Sequence, residues 1–364
     1  MKVPMLDPAR MHESYQKELE DAALRVLRSG KYILGQEVEL FEDACAKYIG
    51  AKHAIGVSSG TDALLVSLMA LGIGPGDEVI CPSFTFFATA GSIARAGATP
   101  IFADILPECF TLDPEDVERR ITSKTKAIIP VHLFGQCADM TRLLHLAQRH
   151  NLYVVEDVAQ AIGASLAKQN VKAGAMGDLG CFSFFPSKNL GGFGDAGLVT
   201  TNSGKLAARV RSLRNHGQAE QYVHTAVGGN FRIDALQAAL LSVKLKHLPE
   251  AEAQRVDHAD MYSKALDSAY FWIPEQIRGH HVYNQFTIRV PGGKRDMLKK
   301  HLENRDIGCA IYYPLPLHAQ PCFDQSFELP VTDFAVKECL SLPIAAELTR
   351  KDIQITIAAI RKLK

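Results

Sequence analysis

From residue 53 onward, short apolar runs alternate with segments whose apolar residues recur at helical spacing. The runs His53–Ser58, Glu78–Pro82, Pro100–Asp104, Ala127–Leu133, Tyr153–Val158, Gly180–Phe185 and Gly197–Thr201 have the length and texture of buried strands. Helices are predicted near 61–71, 86–96, 114–121 and 139–149, between the first five runs. This alternation predicts βαβ units and a mostly parallel central sheet flanked by helices. The right-handed crossover brings the loops after the strand C-termini to one edge, where ligands bind in such sheets. Thr61, Asp157 and Lys188 all fall at or after such ends.

Ahead of the sheet, helices are predicted over 11–29 and 37–48, stopped by Gly30 and Gly50. After it come helical patterns over 204–214 and 233–246, and a longer one from Pro249 to Ser268. The texture changes after Trp272-Ile273-Pro274. A strand is predicted over Val282–Val290, a turn at Pro291–Gly293, a helix over 294–304 and a strand over Cys309–Tyr313. Helices near 331–340 and 349–363 finish the chain. The division expected is a large α/β domain over 1–248 and a smaller α+β C-terminal domain over 249–364.

Composition narrows the function class. Apolar residues make up 47% of 364, enough for a substantial core. Forty basic and forty acidic side chains cancel, so nothing favours nucleic acid or an anionic membrane as a general partner. The eight cysteines form no C-x-x-C pair and no zinc-site spacing with histidine, so no metal is expected. They read as buried thiols of a protein in a reducing cytoplasm. No signal-peptide pattern and no apolar run of about 18 residues is present.

Candidate chemistry concentrates at three places. Ser58-Ser59-Gly60-Thr61-Asp62 joins a strand to a helix, where free N–H groups, a close-approach glycine and a hydroxyl can cradle an anion. Glu156 and Asp157 end one strand, and period two sends them to opposite faces. One can therefore face a ligand while the other is held structurally. Lys188 follows Phe182, Phe184, Phe185 and Pro186 and precedes Gly191, Gly192 and Gly194, an unusual setting for a surface lysine. A loop lysine and a strand-end acid in one α/β domain are what a pyridoxal-phosphate enzyme requires. The lysine binds the cofactor as a Schiff base, and the acid keeps the pyridine nitrogen protonated. Gln160 is placed to reach a ring oxygen, Ser183 to donate to the phosphate and Phe86 to stack on the ring. Taken singly, the same residues also fit a capped turn, an N-cap and core aromatics.

In their order and spacing these residues resemble the DegT/DnrJ/EryC1/StrS family of sugar-nucleotide aminotransferases, of PLP fold type I. The segments that carry the resemblance include Ser59–Leu64, Gly74–Val79, Pro82–Thr89, Val131–Gln136, Glu156–Gln160 and Phe182–Lys188. Arg214–Gly217, Gly229–Arg232 and Tyr313–His318 extend it almost to the end of the chain. The resemblance implies pyridoxal 5'-phosphate on Lys188, its ring nitrogen on Asp157, its ring oxygen near Gln160 and its face on Phe86. Gly60, Thr61 and Ser183 would hold the phosphate. Asn230 would reach it from a partner subunit, which implies a homodimer with shared sites. Arg232 matches a position for substrate acid groups, and Tyr313 and His318 match a segment lining the sugar site. Some relatives carry histidine in place of the lysine and are dehydratases, so Lys188 favours transamination. The implied reaction moves the amino group of L-glutamate, leaving 2-oxoglutarate, to a nucleotide-linked keto sugar. The contexts at 135–139 and 312–318 favour a 3-oxo sugar linked to UDP or dTDP. Amination at C4, or a regulatory protein of this fold without catalysis, are the alternatives.

Overall fold

Every apolar run between residues 53 and 201 becomes a strand of one sheet. The strands are β1 (His53–Val57), β2 (Glu78–Pro82), β3 (Thr99–Ala103), β4 (Thr125–Ile128) and β5 (Tyr153–Asp157). Two short strands, β6 (Ser165–Leu166) and β7 (Val171–Lys172), leave the sheet before β8 (Leu179–Ser183) and β9 (Gly197–Thr201) complete it. The order is β1-β9-β8-β5-β4-β2-β3. From β8 to β3 neighbours are parallel, while β9 runs antiparallel to both β8 and β1. The computed structural model describes residues 2–8, 10–167 and 171–362.

Helices cover both faces. On one side lie α1 (Gln16–Ser29), α2 (Gln36–Ile49) and the first half of α8 (Ala235–Ala265), packed over Phe41, Phe182, Phe184 and Leu241. On the other lie α3 (Gly60–Leu71), α4 (Ala88–Arg95) and α7 (Gly204–Arg214), over Ile55, Val66, Phe102 and Val199. Helices α5 (Pro114–Arg120) and α6 (Met140–His150) complete the crossovers. Helix α3 has almost no polar face, because it is enclosed by strands, α4 and α7. Full burial of each Leu or Val there contributes about 1.5–3 kcal/mol and fixes the position of its N-terminus.

The sequence separates 233–246 from 249–268, but the structure joins them. Helix α8 is one helix of 31 residues with Pro249 inside it. Up to Leu248 it belongs to the large core. From Ala259 it belongs to a third cluster with Tyr262, Phe286, Leu340 and Ile353. The expected boundary at 248/249 therefore marks a change of packing partner within one helix. Val3 also joins the third cluster and bridges Ile307, so the extreme N-terminus packs on the C-terminal residues.

Beyond α8 the strands are shorter than expected. Hairpin strands β10 (Gln218–Glu220) and β11 (Val223–His224) precede α8, and β12 (Gly279–His280) pairs with β6. Only Phe286–Arg289 of the expected 282–290 strand is regular; this β13 pairs antiparallel with β14 (Cys339–Leu342). The residues of β14 were expected partly as the end of a helix, which instead stops as α10 (Pro330–Glu338). Helix α9 (Arg295–Glu303) lies near its expected place. No strand forms over 309–313, where Ala310 alone bridges Ser341. The last helix, α11 (Arg350–Arg361), begins with a capping box at Thr349 and Asp352; residue 363 of the expected span lies outside the described residues.

Candidate active site

Glu156 and Asp157 divide the two tasks expected of them. Glu156 is fully buried and accepts four hydrogen bonds: from His132 Nε2 at 2.9 Å and from the N–H groups of Gly174, Met176 and Gly177 at 2.9, 2.8 and 2.7 Å. His132 Nδ1 accepts from Ala138 N–H at 3.0 Å, which leaves its proton on Nε2, facing Glu156. This network pins the 174–177 loop to the central strand β5. Glu156→Gln replaces one acceptor oxygen with a donor against these N–H groups. It is expected to cost about 2–4 kcal/mol, read as a lowered urea midpoint.

Asp157 points the other way. It is 5% exposed and accepts from Thr89 Oγ1 at 2.8 Å and from Ala159 N–H at 3.1 Å. Burial pushes its carboxyl up, while those two donors, Lys188 and His132 oppose the rise. Burial pushes the Lys188 amine down, and Asp157 opposes that. The two groups thus sense each other's charge, yet Lys188 forms no ion pair among the described residues. A buried acid and a desolvated amine in one another's field are the two groups that a cofactor with a cationic ring and an imine would use.

The surroundings fit a phosphorylated pyridine. Ser59 caps α3 through Asp62 N–H at 3.0 Å, so the capped-turn reading is correct as local structure. The N–H groups of Gly60 and Thr61 precede the first intrahelical bond and are free for an anion. Ser183 sits against this turn: a Cβ on Gly60 would meet Ser183 Cβ at 2.6 Å. Gly60→Ala must therefore push the helix terminus and Ser183 apart. Cofactor affinity is expected to weaken by about tenfold, measured as the dissociation constant for pyridoxal phosphate. Phe86 is 59% exposed, unusual for a phenyl ring and suited to a stacking face. Its ring lies 6.4 Å from that of Tyr313.

Gln160 has one end engaged and one end shared. Its Oε1 accepts from Phe134 N–H at 2.7 Å, and Nε2 donates to Tyr313 Oη at 3.0 Å. One amide proton remains for a ring oxygen. Tyr313 thus joins the group around Asp157. His318 does not. Its Nδ1 meets Ser83 Oγ at 2.8 Å, its ring lies near Phe102 and Phe327, and it is 7% exposed. It also borders a cavity with Pro314, Leu315 and Asp333, at the end of the segment expected to line the sugar site.

Asn230 and Arg232 lie on the segment that returns beside the end of β1. Arg232 bridges Val57 and donates to Asn215 Oδ1 at 2.5 Å, while its Nε is buried without a partner among the described residues. Asn230 bridges Asn215 and is exposed. Thr89 and His132 were not singled out from the sequence, although both lie inside the quoted segments. A hydroxyl after β2 and an imidazole after β4, both beyond the C-terminal ends of strands near β5, were the available signal.

A family model described as the DegT/DnrJ/EryC1/StrS aminotransferase family matches residues 13–361. The chain belongs to this family. Among relatives of this DegT-family aminotransferase, a protein of Geobacillus stearothermophilus named a pleiotropic regulatory protein is 47% identical, over 99% of this chain and 98% of its own. The UDP-N-acetyl-3-dehydro-alpha-D-glucosamine 3-aminotransferase of Acidithiobacillus ferrooxidans is 42% identical, over 99% and 97%. The crystal structure of S. venezuelae DesV, in complex with a ketimine intermediate, superposes with a TM-score of 0.95 at 41% identity, over 99% of this chain and 98% of that one. The large α/β body and its smaller lobe are those of this aminotransferase fold.

Proposed function

We propose that this aminotransferase binds pyridoxal 5'-phosphate and moves the amino group of L-glutamate to the C3 keto group of a UDP- or dTDP-linked sugar. The observation that carries the proposal is the opposed pair of Asp157, fixed by Thr89, and Lys188, desolvated in an apolar loop. The 3-amino position follows the activity for which the Acidithiobacillus relative is named. When bound, the cofactor supplies an electron sink for the carbon that gains or loses the amino group.

The chain's own residues do the rest. Asp157 would hold a proton at the pyridine nitrogen through a charge-assisted hydrogen bond, stronger for being buried. Gly60, Thr61 and Ser183 would hold the phosphate, Phe86 the ring face and Gln160 the ring oxygen. Burial favours the neutral Lys188 amine, the form that attaches the cofactor and, once displaced by the amino donor, carries a proton between two carbons. Tyr313 would border the sugar and Arg232 a substrate acid group. The partner subunit's Asn230 would complete the phosphate site in a homodimer. Support for that assembly comes from the exposed Asn230, from Tyr222 in the turn of the neighbouring hairpin and from Val227 just after it, 85% and 90% exposed. The place of action that fits eight unpaired cysteines is the cytoplasm.

The Geobacillus relative's name offers a second reading, regulation without catalysis. The test separates them. Protein loaded with pyridoxal phosphate is expected to be yellow, to bleach with L-glutamate, and to convert a nucleotide-linked 3-keto sugar to the 3-amino sugar, read by mass spectrometry and NMR. Failure to bleach and to aminate overturns the enzymatic reading.

A further inference from the structure

The Lys188 amine takes no hydrogen bond among the described residues, so the backbone that carries it must aim it. Its own N–H closes a turn on Phe185 O at 2.9 Å, and Gly192 N–H returns to Phe184 O at 2.7 Å. Further on, Gln237 of α8 accepts from Phe193 N–H at 2.9 Å. Beside the lysine itself the tie is Asn189. It donates through Nδ2 to Val282 O at 3.0 Å and accepts through Oδ1 from Asn284 Nδ2 at 2.7 Å. The two amides clasp the lysine loop to a segment 95 residues further along the chain.

Residues 282–285 are held firmly enough to serve as the anchor. Val282 N–H donates to Gly135 O at 3.0 Å, and Gln285 N–H to Phe134 O at 3.3 Å. The fit is close, since a Cβ on Gly135 would lie 2.9 Å from the nitrogens of Tyr283 and Asn284. Tyr283 has φ +44°, a conformation that a non-glycine residue keeps only where its surroundings impose it. Arg255 of α8, 5% exposed, holds it there, donating through Nη1 to the carbonyls of Tyr283 and Asn284 at 3.2 and 3.4 Å. Phe134, on the other side, donates its N–H to Gln160 Oε1 at 2.7 Å. One segment therefore ties the loop that carries Lys188 to the loop that orients Gln160. Pyridoxal phosphate carries its aldehyde carbon and its ring oxygen on neighbouring ring atoms, so these two side chains must keep a fixed separation.

We infer that Asn284 is a positioning residue, whose amide acts through Asn189 to set the Lys188 amine against Gln160 so that both meet one pyridine ring. This rests on the proposed attachment of the cofactor to Lys188. The chemistry of Asn284 argues for placement over stability. It is 5% exposed, and its Oδ1 is buried without a hydrogen-bond partner among the described residues. An orphaned acceptor costs about what the Nδ2 bond contributes, so a leucine of similar size would serve the fold as well. Only the N–H aimed at Asn189 requires an amide.

The test mixes full-length, cofactor-free protein with pyridoxal phosphate and follows the visible band as it forms. Asn284→Leu is expected to lower the limiting rate of attachment by about 10-fold, within the usual cost of misplacing a reacting group by an ångström or less. The half-saturating concentration of pyridoxal phosphate is expected to stay unchanged, because Gly60, Thr61 and Ser183 are untouched. The thermal midpoint is expected to hold as well. Asn284→His returns an N–H at similar reach and is expected to restore the rate. Asn189→Ala is expected to reproduce the loss, and combining it with Asn284→Leu to add nothing, as for two halves of one clasp. A lowered thermal midpoint with an unchanged limiting rate makes Asn284 merely structural and overturns the inference, leaving the cofactor reading in place. No band in the unaltered protein overturns both. If Asn284→Leu fails to fold, Asn189→Ala decides by the same rate.

Discussion

Lys188→Ala is expected to abolish transamination, a loss on the order of 10⁴-fold or more, and to remove the visible band of the cofactor-loaded protein. Two functions are lost together. The amine is the covalent attachment, and it is also the group placed to carry a proton between two carbons; proton transfer alone contributes about 10²–10⁴-fold. Stability is expected to change little. The Lys188 side chain makes no hydrogen bond or ion pair among the described residues, and removing a desolvated amine from an apolar loop relieves a cost. Single-turnover kinetics, the absorbance spectrum and the thermal midpoint, taken on one preparation, separate these effects. A variant that keeps both band and turnover would rule Lys188 out as the reactive lysine.

Asp157→Ala is expected to slow amino transfer by about 10²–10⁴-fold while leaving the band present but shifted. The carboxylate is buried and held by Thr89 and Ala159, so its charge is aimed and cannot be replaced by solvent. Without it the pyridine nitrogen loses its proton partner and the ring its pull on electrons. Thr89 Oγ1 loses an acceptor at the same time. Thr89→Val separates the contributions: it removes only the orienting hydroxyl and is expected to show a smaller loss in the same direction. Rates unchanged in Asp157→Ala would remove the acid from the mechanism.

The site was legible in the sequence where one local pattern sufficed. Strand periodicity sent Glu156 and Asp157 to opposite faces, and the structure shows one in a closed hydrogen-bond network and the other held by Thr89 and Ala159, in the field of Lys188. The apolar flanks of Lys188 signalled its desolvation. What the sequence did not disclose depends on contacts distant along the chain. The tie of Gln160 to Tyr313 spans 153 residues, and that of Ser83 to His318 spans 235. A histidine beside a proline turn gives no sign in the sequence that one ring nitrogen will meet a serine while the residue borders a cavity. The fold was misread in the same way. Pro249 breaks an isolated helical pattern, since it removes one N–H and crowds the preceding turn. Here both flanking stretches are anchored in separate cores, and packing outweighs the local cost. Residues 309–313 have strand composition, but only Ala310 finds a neighbour to pair with.

That proline-containing helix has a consequence for any attempt to dissect the molecule. A cut after Leu248 would fall in the middle of a continuous helix whose apolar residues serve one core before the cut and another after it. The first fragment would also carry Val3 away from Ile307. Each half of the helix would stay with most of the core it packs on, but the new ends would fray, because short helices are marginal in water. The shared helix, Val3 and Val282 are thus the stitches between two cores, and a protease able to nick α8 would loosen the seam without emptying either core.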